Sequence, residues 1–438
     1  MQLPAGRCWR RAVLLAAAAL WAPGAAGAQG GEAATVGSAR LLLTGARVLN
    51  SNGTGWLTGR AVLVADGRIQ KIAAAAEMDV PRNAERVALD GLYLVPGLID
   101  LHSHLLLHPY DEASWNDQVL RESLELRTLR GGVAAAKTLK AGFTTLRDLG
   151  TEGAGYADVA LRDAIASGLI PGPRIVAVTR AIVAVGAYGP FGFDPRWRLP
   201  KGAQEANGVD GVRRAVREQI AAGADWIKVY ADYRRRPDAR ATPTFSQEEL
   251  DALVEEARSA GRPVAAHAST DAGIRRAVQA GVRTIEHGTG ATSATLDLMR
   301  ARHVVLCPTL AASEAVARYR GWKPGTPEPE ELLEVRAMFT RALRSGATIA
   351  CGSDAGVFPH GENVRELELM VAYGMPPPLA LAAATSVAAA VLGRAEELGR
   401  IAEGYLADLV AVRGDPLQDP SALRNPEVVL KEGRPVDF

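Results

Sequence analysis

The chain has 438 residues, enough for one large domain or two ordinary ones, with 48% hydrophobic and 23% charged residues. That balance excludes a disordered or collagen-like chain. A net charge of +1, with no basic patch interleaved with aromatics, gives no footprint for nucleic acid or an anionic membrane.

The first 28 residues read as a secretory leader. Arg7, Arg10 and Arg11 precede an apolar run from Ala12 to Ala22, and Ala26-Gly27-Ala28 supplies small residues for cleavage. The run is shorter than the roughly 20 residues that a membrane-spanning helix needs. A periplasmic or secreted mature chain is expected, and losing three arginines takes its net charge from +1 to −2. Cys8 would leave with the leader. Cys307 and Cys351 lie in apolar strand-like runs and read as packing residues, although export would permit a disulfide between them.

From residue 29 to 95 the pattern is of short strands, "ARLLLTGARVLN", "GRAVLVADGRIQKIA" and "RVALDGLYLVPG", broken by turn residues such as Asp66-Gly67. Residues 396–438 have the same character, which predicts one small β-sandwich domain built from both termini. Between them, over 96–395, strand-like and helical runs alternate. The strands are "GLIDLHSH", "FTTLRDLG", "RIVAVTRAI", "DWIKVYA", "PVAAHAS", "RTIEHG", "VVLCPTL" and "TIACGSDAG". Helical pieces such as "GVRRAVREQIAAG" and "SQEELDALVEEARSAG" separate them. Eight strands alternating with helices predict an α/β fold, a closed (β/α)8 barrel of TIM type. The alanine-rich run from Leu379 to Leu392 carries Thr385 and Ser386 and reads as a buried helix.

Chemistry in such a barrel sits at the C-terminal ends of the strands. The first strand ends in His102 and His104, whose i, i+2 spacing puts both imidazoles on one face. Paired imidazoles suit a metal ion, zinc above most others, but a catalytic zinc needs three protein ligands plus water. Other strand ends supply candidates: Lys228 on the fourth, His267 on the fifth, His287 on the sixth and Asp354 in "GSDAG" on the eighth. Four of the chain's seven histidines thus fall at strand ends. Taken singly, Lys228 reads as a rim lysine and Asp354 as a helix cap. Glu286, beside His287, alternates to the opposite face and is expected to be an outer-layer pairing residue.

These motifs, "PGLIDLHSH", the strand-four lysine, the two later histidines, "GSDAG" and the terminal pattern from Gly399 to Val410, carry a resemblance. From about Leu41 to its end the chain resembles the binuclear metal-dependent amidohydrolase superfamily. Within it, the chain looks most like the prolidase-like and carboxypeptidase-like branch that includes amidases hydrolysing ochratoxin-type N-acyl phenylalanines. The resemblance implies two divalent ions, zinc by preference, with His102, His104 and Asp354 at the first and His267 and His287 at the second. Lys228, carboxylated by CO2 to an anionic carbamate, would bridge them. A hydroxide shared by the ions would be the nucleophile and Asp354 the proton carrier. Relatives in the dipeptidase branch often carry Gly-Gly-His after strand three; this chain has Gly186, Ala187 and Tyr188. Polarising the scissile carbonyl would then fall to the second metal and to Tyr230, which shares the strand face of Lys228. Tyr188 remains a candidate for lining the substrate pocket.

Arg234, Arg235 and Arg236 follow strand four, on a loop at the pocket mouth. They read either as a solvated charge run or as anchors for a substrate carboxylate. The expected activity is hydrolysis of an amide between an acyl group and a C-terminal amino acid, aromatic ones among the candidates. The expected partners are that small amide or peptide and further copies of the chain, with no nucleic acid and no membrane once the leader is removed. The rival within the fold is a mononuclear deaminase or imidazolonepropionase-like hydrolase, disfavoured because Thr270 stands where deaminases carry a proton-shuttling glutamate. A non-catalytic binding barrel would have lost ligands that this chain keeps.

Overall fold

The computed structural model describes residues 40–194, 196–236 and 238–437. The leader expected over 1–28 lies outside them. Two sheets form from the ends of the chain, one from N-terminal strands alone and the other from both ends. One has the order Arg68–Ala74, Arg60–Ala65, Arg40–Thr44, Ala84–Ala88. The other runs Arg434–Pro435, Pro426–Lys431, Leu409–Val412, Tyr93–Pro96, Arg47–Leu49, Trp56–Leu57. Tyr93–Pro96 is the join, pairing antiparallel with Leu409–Val412 and parallel with Arg47–Leu49. Strand alternation explains the packing: Leu41 and Leu43 enter the main core while Leu42 turns to a second cluster with Leu63 and Met78. The turn at Asp66-Gly67 has φ of 53° and 74°, the left-handed pair that a tight hairpin requires.

The barrel follows directly. Its first strand, Leu98–Ser103, pairs in parallel with Phe143–Asp148, which pairs with Arg174–Ala177. Ile227–Tyr230, Val264–Ala268, Thr284–His287 and Val305–Cys307 continue in parallel register. The third strand, read as one run in the sequence, is in two pieces. Thr179, at φ 65°, breaks it, and the second piece, Ile182–Ala184, pairs with the Lys228 strand. The eighth is an extended segment rather than a ladder, bridged to its neighbours at Leu306–Ile349 and Ser103–Ala355, and these two contacts close the ring. The helices follow their sequence signals. Gln247–Ser259 opens on a capping box in which Ser246 and Glu249 satisfy each other's backbone N–H groups. Gly208–Ala221 buries Val212, Ala215 and Val216, one stripe of the helix. Cys307 and Cys351 are buried and unbonded. Among the described residues no helix is long and apolar enough to cross a membrane.

Sheet and barrel meet at Gly97. Its amide donates to the Asp408 carbonyl at 2.7 Å, and Arg174 pairs with the Asp408 carboxylate at 2.8 Å. A Cβ on Gly97 would lie 2.2 Å from Thr144 Oγ1 and 3.0 Å from Asp408 Cβ, pressing on barrel and sheet together. Gly97→Ala should therefore cost about 1–3 kcal/mol, as overpacking does, read as a lowered denaturant midpoint with an unchanged slope.

Candidate metal centre

At the C-terminal end of the barrel His102, His104 and Asp354 converge, with candidate ligand atoms all within 4.8 Å of one another. Asp354 Oδ1 lies 3.3 Å from His104 Nε2 and 3.6 Å from His102 Nε2. The His287 ring is centred 5.1 Å from that of His102, and the His267 ring 4.6 Å from that of His287. Lys228 is buried on the adjoining strand, one inward position below Tyr230, whose register partner is His267. All six residues named from the sequence therefore belong to one end of one barrel. Two of them are turned by the backbone: His287 has φ 67° and Asp354 φ 62°, so each leaves its strand in a direction that simple alternation does not give.

In His102, His104 and His287 the Nδ1 nitrogen is already engaged, which leaves Nε2 to face the centre. His102 Nδ1 lies 2.8 Å from Glu286 Oε2, His104 Nδ1 2.9 Å from the Gly150 carbonyl, and His287 Nδ1 2.7 Å from Thr309 Oγ1. With Nδ1 protonated and donating, Nε2 of His102 and His287 carries the free lone pair, the arrangement that metal-binding histidines show. Glu286 corrects the expectation of an outer-layer residue. It is fully buried inside the barrel, where its other oxygen accepts from Arg147 Nη2 at 2.9 Å and Thr284 Oγ1 at 2.5 Å. The left-handed turn at His287 is the reason, since it lets Glu286 and His287 serve the same centre.

The electrostatics fit a cation. Burial holds His102 and His267 well below the ordinary imidazole range, and takes His287 down to about 4, against the pull of Asp354. These rings are neutral and able to donate a lone pair. His104 behaves differently: burial lowers it, but its bond to Asp354 and the charges of Asp354, Glu152 and Asp148 win and raise it to about 9. Burial lowers the Lys228 ammonium to about 8, against the charges of Glu286 and Asp354, which increases the share of free amine. Free amine is the form that reacts with CO2. Clustered neutral imidazoles, a carboxylate and a lysine of this kind are a donor set suited to a divalent ion, and His102, His104 and Asp354 alone supply three ligands.

Two cavities flank the centre. One, of about 740 Å³, reaches from His287 and Asp354 past Ala312, Val316, Leu332 and Val335 to Trp322 and Arg320. The other, of about 390 Å³, is lined by Tyr110, Trp115, Tyr188, Tyr233 and Arg234. Tyr230 stacks on His267 at 4.4 Å and 15°, and Tyr188 and Tyr233 pack around it. All three loop arginines are exposed; Arg234 lines the smaller cavity, with its guanidinium 5.8 Å from the Tyr233 ring centre. Arg235 and Arg236 face solvent, and Arg236 has only a loose 3.9 Å pairing with Asp238.

Sequence reasoning missed Glu152. It is buried, held at φ 48°, and accepts from Trp115 Nε1 at 2.8 Å, from the Tyr188 hydroxyl, and from the Tyr230 hydroxyl at 3.4 Å. Thr270, by contrast, is occupied structurally, donating to Asp232 at 2.6 Å and capping the helix Asp271–Ala280.

Comparison with known proteins agrees with this geometry. Residues 93–436 match the model of the amidohydrolase family, and the chain belongs to that family. It is therefore a hydrolase of amide or peptide bonds. It is 30% identical over 407 residues to ochratoxinase from Aspergillus niger, covering 85% of this chain and 81% of the relative. Among solved structures it resembles a Xaa-Pro dipeptidase with methionine bound in the active site, at 31% identity and TM-score 0.79, covering 91% of this chain and 99% of the other. It also resembles a prolidase in complex with N-methylphosphonate-L-proline, at 32% identity and TM-score 0.79, covering 90% and 99%.

Removing the Glu286 charge should loosen the centre without touching a ligand. Glu286→Gln should weaken metal retention by about 10–100-fold in competition with a chelator, the usual effect of losing a partner behind a histidine ligand. An unfolding midpoint measured alongside separates that loss from instability.

Proposed function

We propose that this chain is an exported, metal-dependent amidase that cleaves N-acyl amino acids or peptides at a C-terminal residue, ochratoxin-type N-acyl phenylalanine among them. The observation that carries the reading is the pairing of a converging ligand set with an aromatic cavity that ends in one guanidinium, Arg234. The ochratoxinase and dipeptidase relatives support the substrate class. His102, His104 and Asp354 would hold one ion, His267 and His287 a second, and a carboxylated Lys228 both; zinc suits the imidazoles. Two such ions would supply an activated water and polarise the amide carbonyl.

The chain's own residues do the rest. Asp354 directs Oδ1 toward the two histidines, which leaves Oδ2 to take a proton from the attacking water and return it to the leaving nitrogen. The Tyr230 hydroxyl, only loosely held by Glu152 at 3.4 Å, can turn to donate to the carbonyl oxygen as it gains charge. Arg234 pairs with the free carboxylate of the leaving amino acid, whose aromatic side chain packs among Tyr188, Tyr233 and Trp115.

Two measurements test this. Elemental analysis should find two divalent ions per chain, and Lys228→Ala should lose metal and turnover together, with partial recovery on adding a short-chain carboxylic acid. An alanine variant with both ions and full turnover refutes the bridging role. For specificity, converting the carboxylate of N-acyl phenylalanine to a neutral amide should lower kcat/KM by about 2–3 kcal/mol, the scale of a charge-assisted hydrogen bond. Arg234→Ala should erase that difference while Arg235→Ala and Arg236→Ala keep it. Equal rates on both substrates with the parent enzyme would remove the carboxylate anchor from the reading.

A further inference from the structure

The opposite end of the barrel carries a second feature that the hydrolytic centre does not use. Where the chain turns from helix into the fifth, sixth and seventh strands, a cavity of about 350 Å³ is lined by Arg258, Arg262, Arg283, Arg302 and His303 over an apolar floor that includes Val254 and Val264. No aspartate or glutamate lines it. Among the described residues, none of the four guanidiniums forms an ion pair with a carboxylate. Arg283 spends one nitrogen on the Ala390 carbonyl at 3.3 Å. Arg262 Nε is buried with no hydrogen-bond partner.

Part of this charge has a structural explanation. Arg258 and Arg302 lie at the C-terminal ends of the helices Gln247–Ser259 and Ser293–Ala301, where exposed carbonyls attract cations. That account does not reach Arg283, which leads into the strand Thr284–His287, or Arg262, whose buried Nε meets no carbonyl. Four like charges around one small cavity repel one another unless an anion sits among them. A buried donor without an acceptor is also costly, and a ligand oxygen would remove that cost. Guanidinium forks match the oxygens of a phosphoryl group in pairs, and the volume falls within the range of about 300–1,000 Å³ typical of small-ligand sites.

We infer that this cavity, formed by Arg258, Arg262, Arg283 and Arg302 at the N-terminal end of the barrel strands, binds a small polyvalent oxoanion of the phosphate or diphosphate type, independently of the hydrolytic centre. The site needs no metal and rests on nothing in the proposed amide hydrolysis.

Calorimetric titration of the metal-loaded full chain with inorganic pyrophosphate tests it, with acetate as the univalent control and Lys228→Ala as the variant altered at the hydrolytic centre. One saturable pyrophosphate site per chain is expected, weakened by added salt, absent with acetate and retained in Lys228→Ala. Arg283→Ala/Arg302→Ala removes one half-buried and one exposed guanidinium and should weaken binding by at least about 10-fold with an unchanged unfolding midpoint. Arg262→Ala should weaken it as well. Absence of saturable binding to the parent overturns the inference, as does binding that survives both sets of arginine variants. Binding that disappears in Lys228→Ala would place the anion at the hydrolytic centre instead, and also overturns it.

Discussion

One buried carboxylate holds the reactive end of this barrel in register. Glu286 has no access to solvent, and its two oxygens face in different directions, one to the imidazole of His102 and the other to Arg147 and Thr284. Arg147 comes from the second strand, His102 from the first and Glu286 from the sixth, so the contact crosses the interior rather than following the ring. Arg147 in turn donates to the Leu101 carbonyl at 2.7 Å and lies 4.5 Å from the Trp226 ring centre. A buried ion pair of this kind contributes little net stability, because desolvation offsets most of the attraction. Its effect is specificity: it fixes one tautomer and one orientation of His102.

The same economy appears around the other rings. His104 is oriented by a main-chain carbonyl, His287 by a threonine hydroxyl, and Thr309 itself precedes a helix whose first amides are capped by the buried Glu366. Each of these three imidazoles is therefore set by a partner from a different strand or loop. The terminal sheets contribute from below, through Asp408, which engages Gly97 with its carbonyl and Arg174 and the Glu432 amide with its carboxylate. The first barrel strand thus starts from a fixed point and delivers its histidines to a fixed place.

Much of this was legible in the sequence, for identifiable reasons. Parallel strands buried on both faces give continuous apolar runs, and polar residues at their ends stand out against that background, which is how His102, His104, Lys228, His267, His287 and Asp354 emerge. Strand alternation failed where the backbone leaves the β region. At Glu286 it gave the wrong face, and at Thr179 it joined two strand pieces into one. Glu152 sits beyond its strand in a turn, with no periodic pattern to mark it, and its partners Trp115, which opens the helix Trp115–Arg121, and Tyr188, in a loop, are distant in the chain. The arginine run looked uniform in the sequence; only the fold shows that Arg234, though exposed like its two neighbours, lies beside Tyr233 at the rim of a cavity.

The left-handed residues at the barrel mouth also bear on how this enzyme can be altered. His287 and Asp354 belong to types that tolerate positive φ, but Thr309, at 51°, is β-branched, and such a backbone costs of order 1–3 kcal/mol. Glycine would relieve that strain, yet it would delete the hydroxyl that orients His287. A position that rewards a stabilising substitution is thus one where a search for heat tolerance alone would degrade the catalyst, and libraries built for robustness should hold it constant.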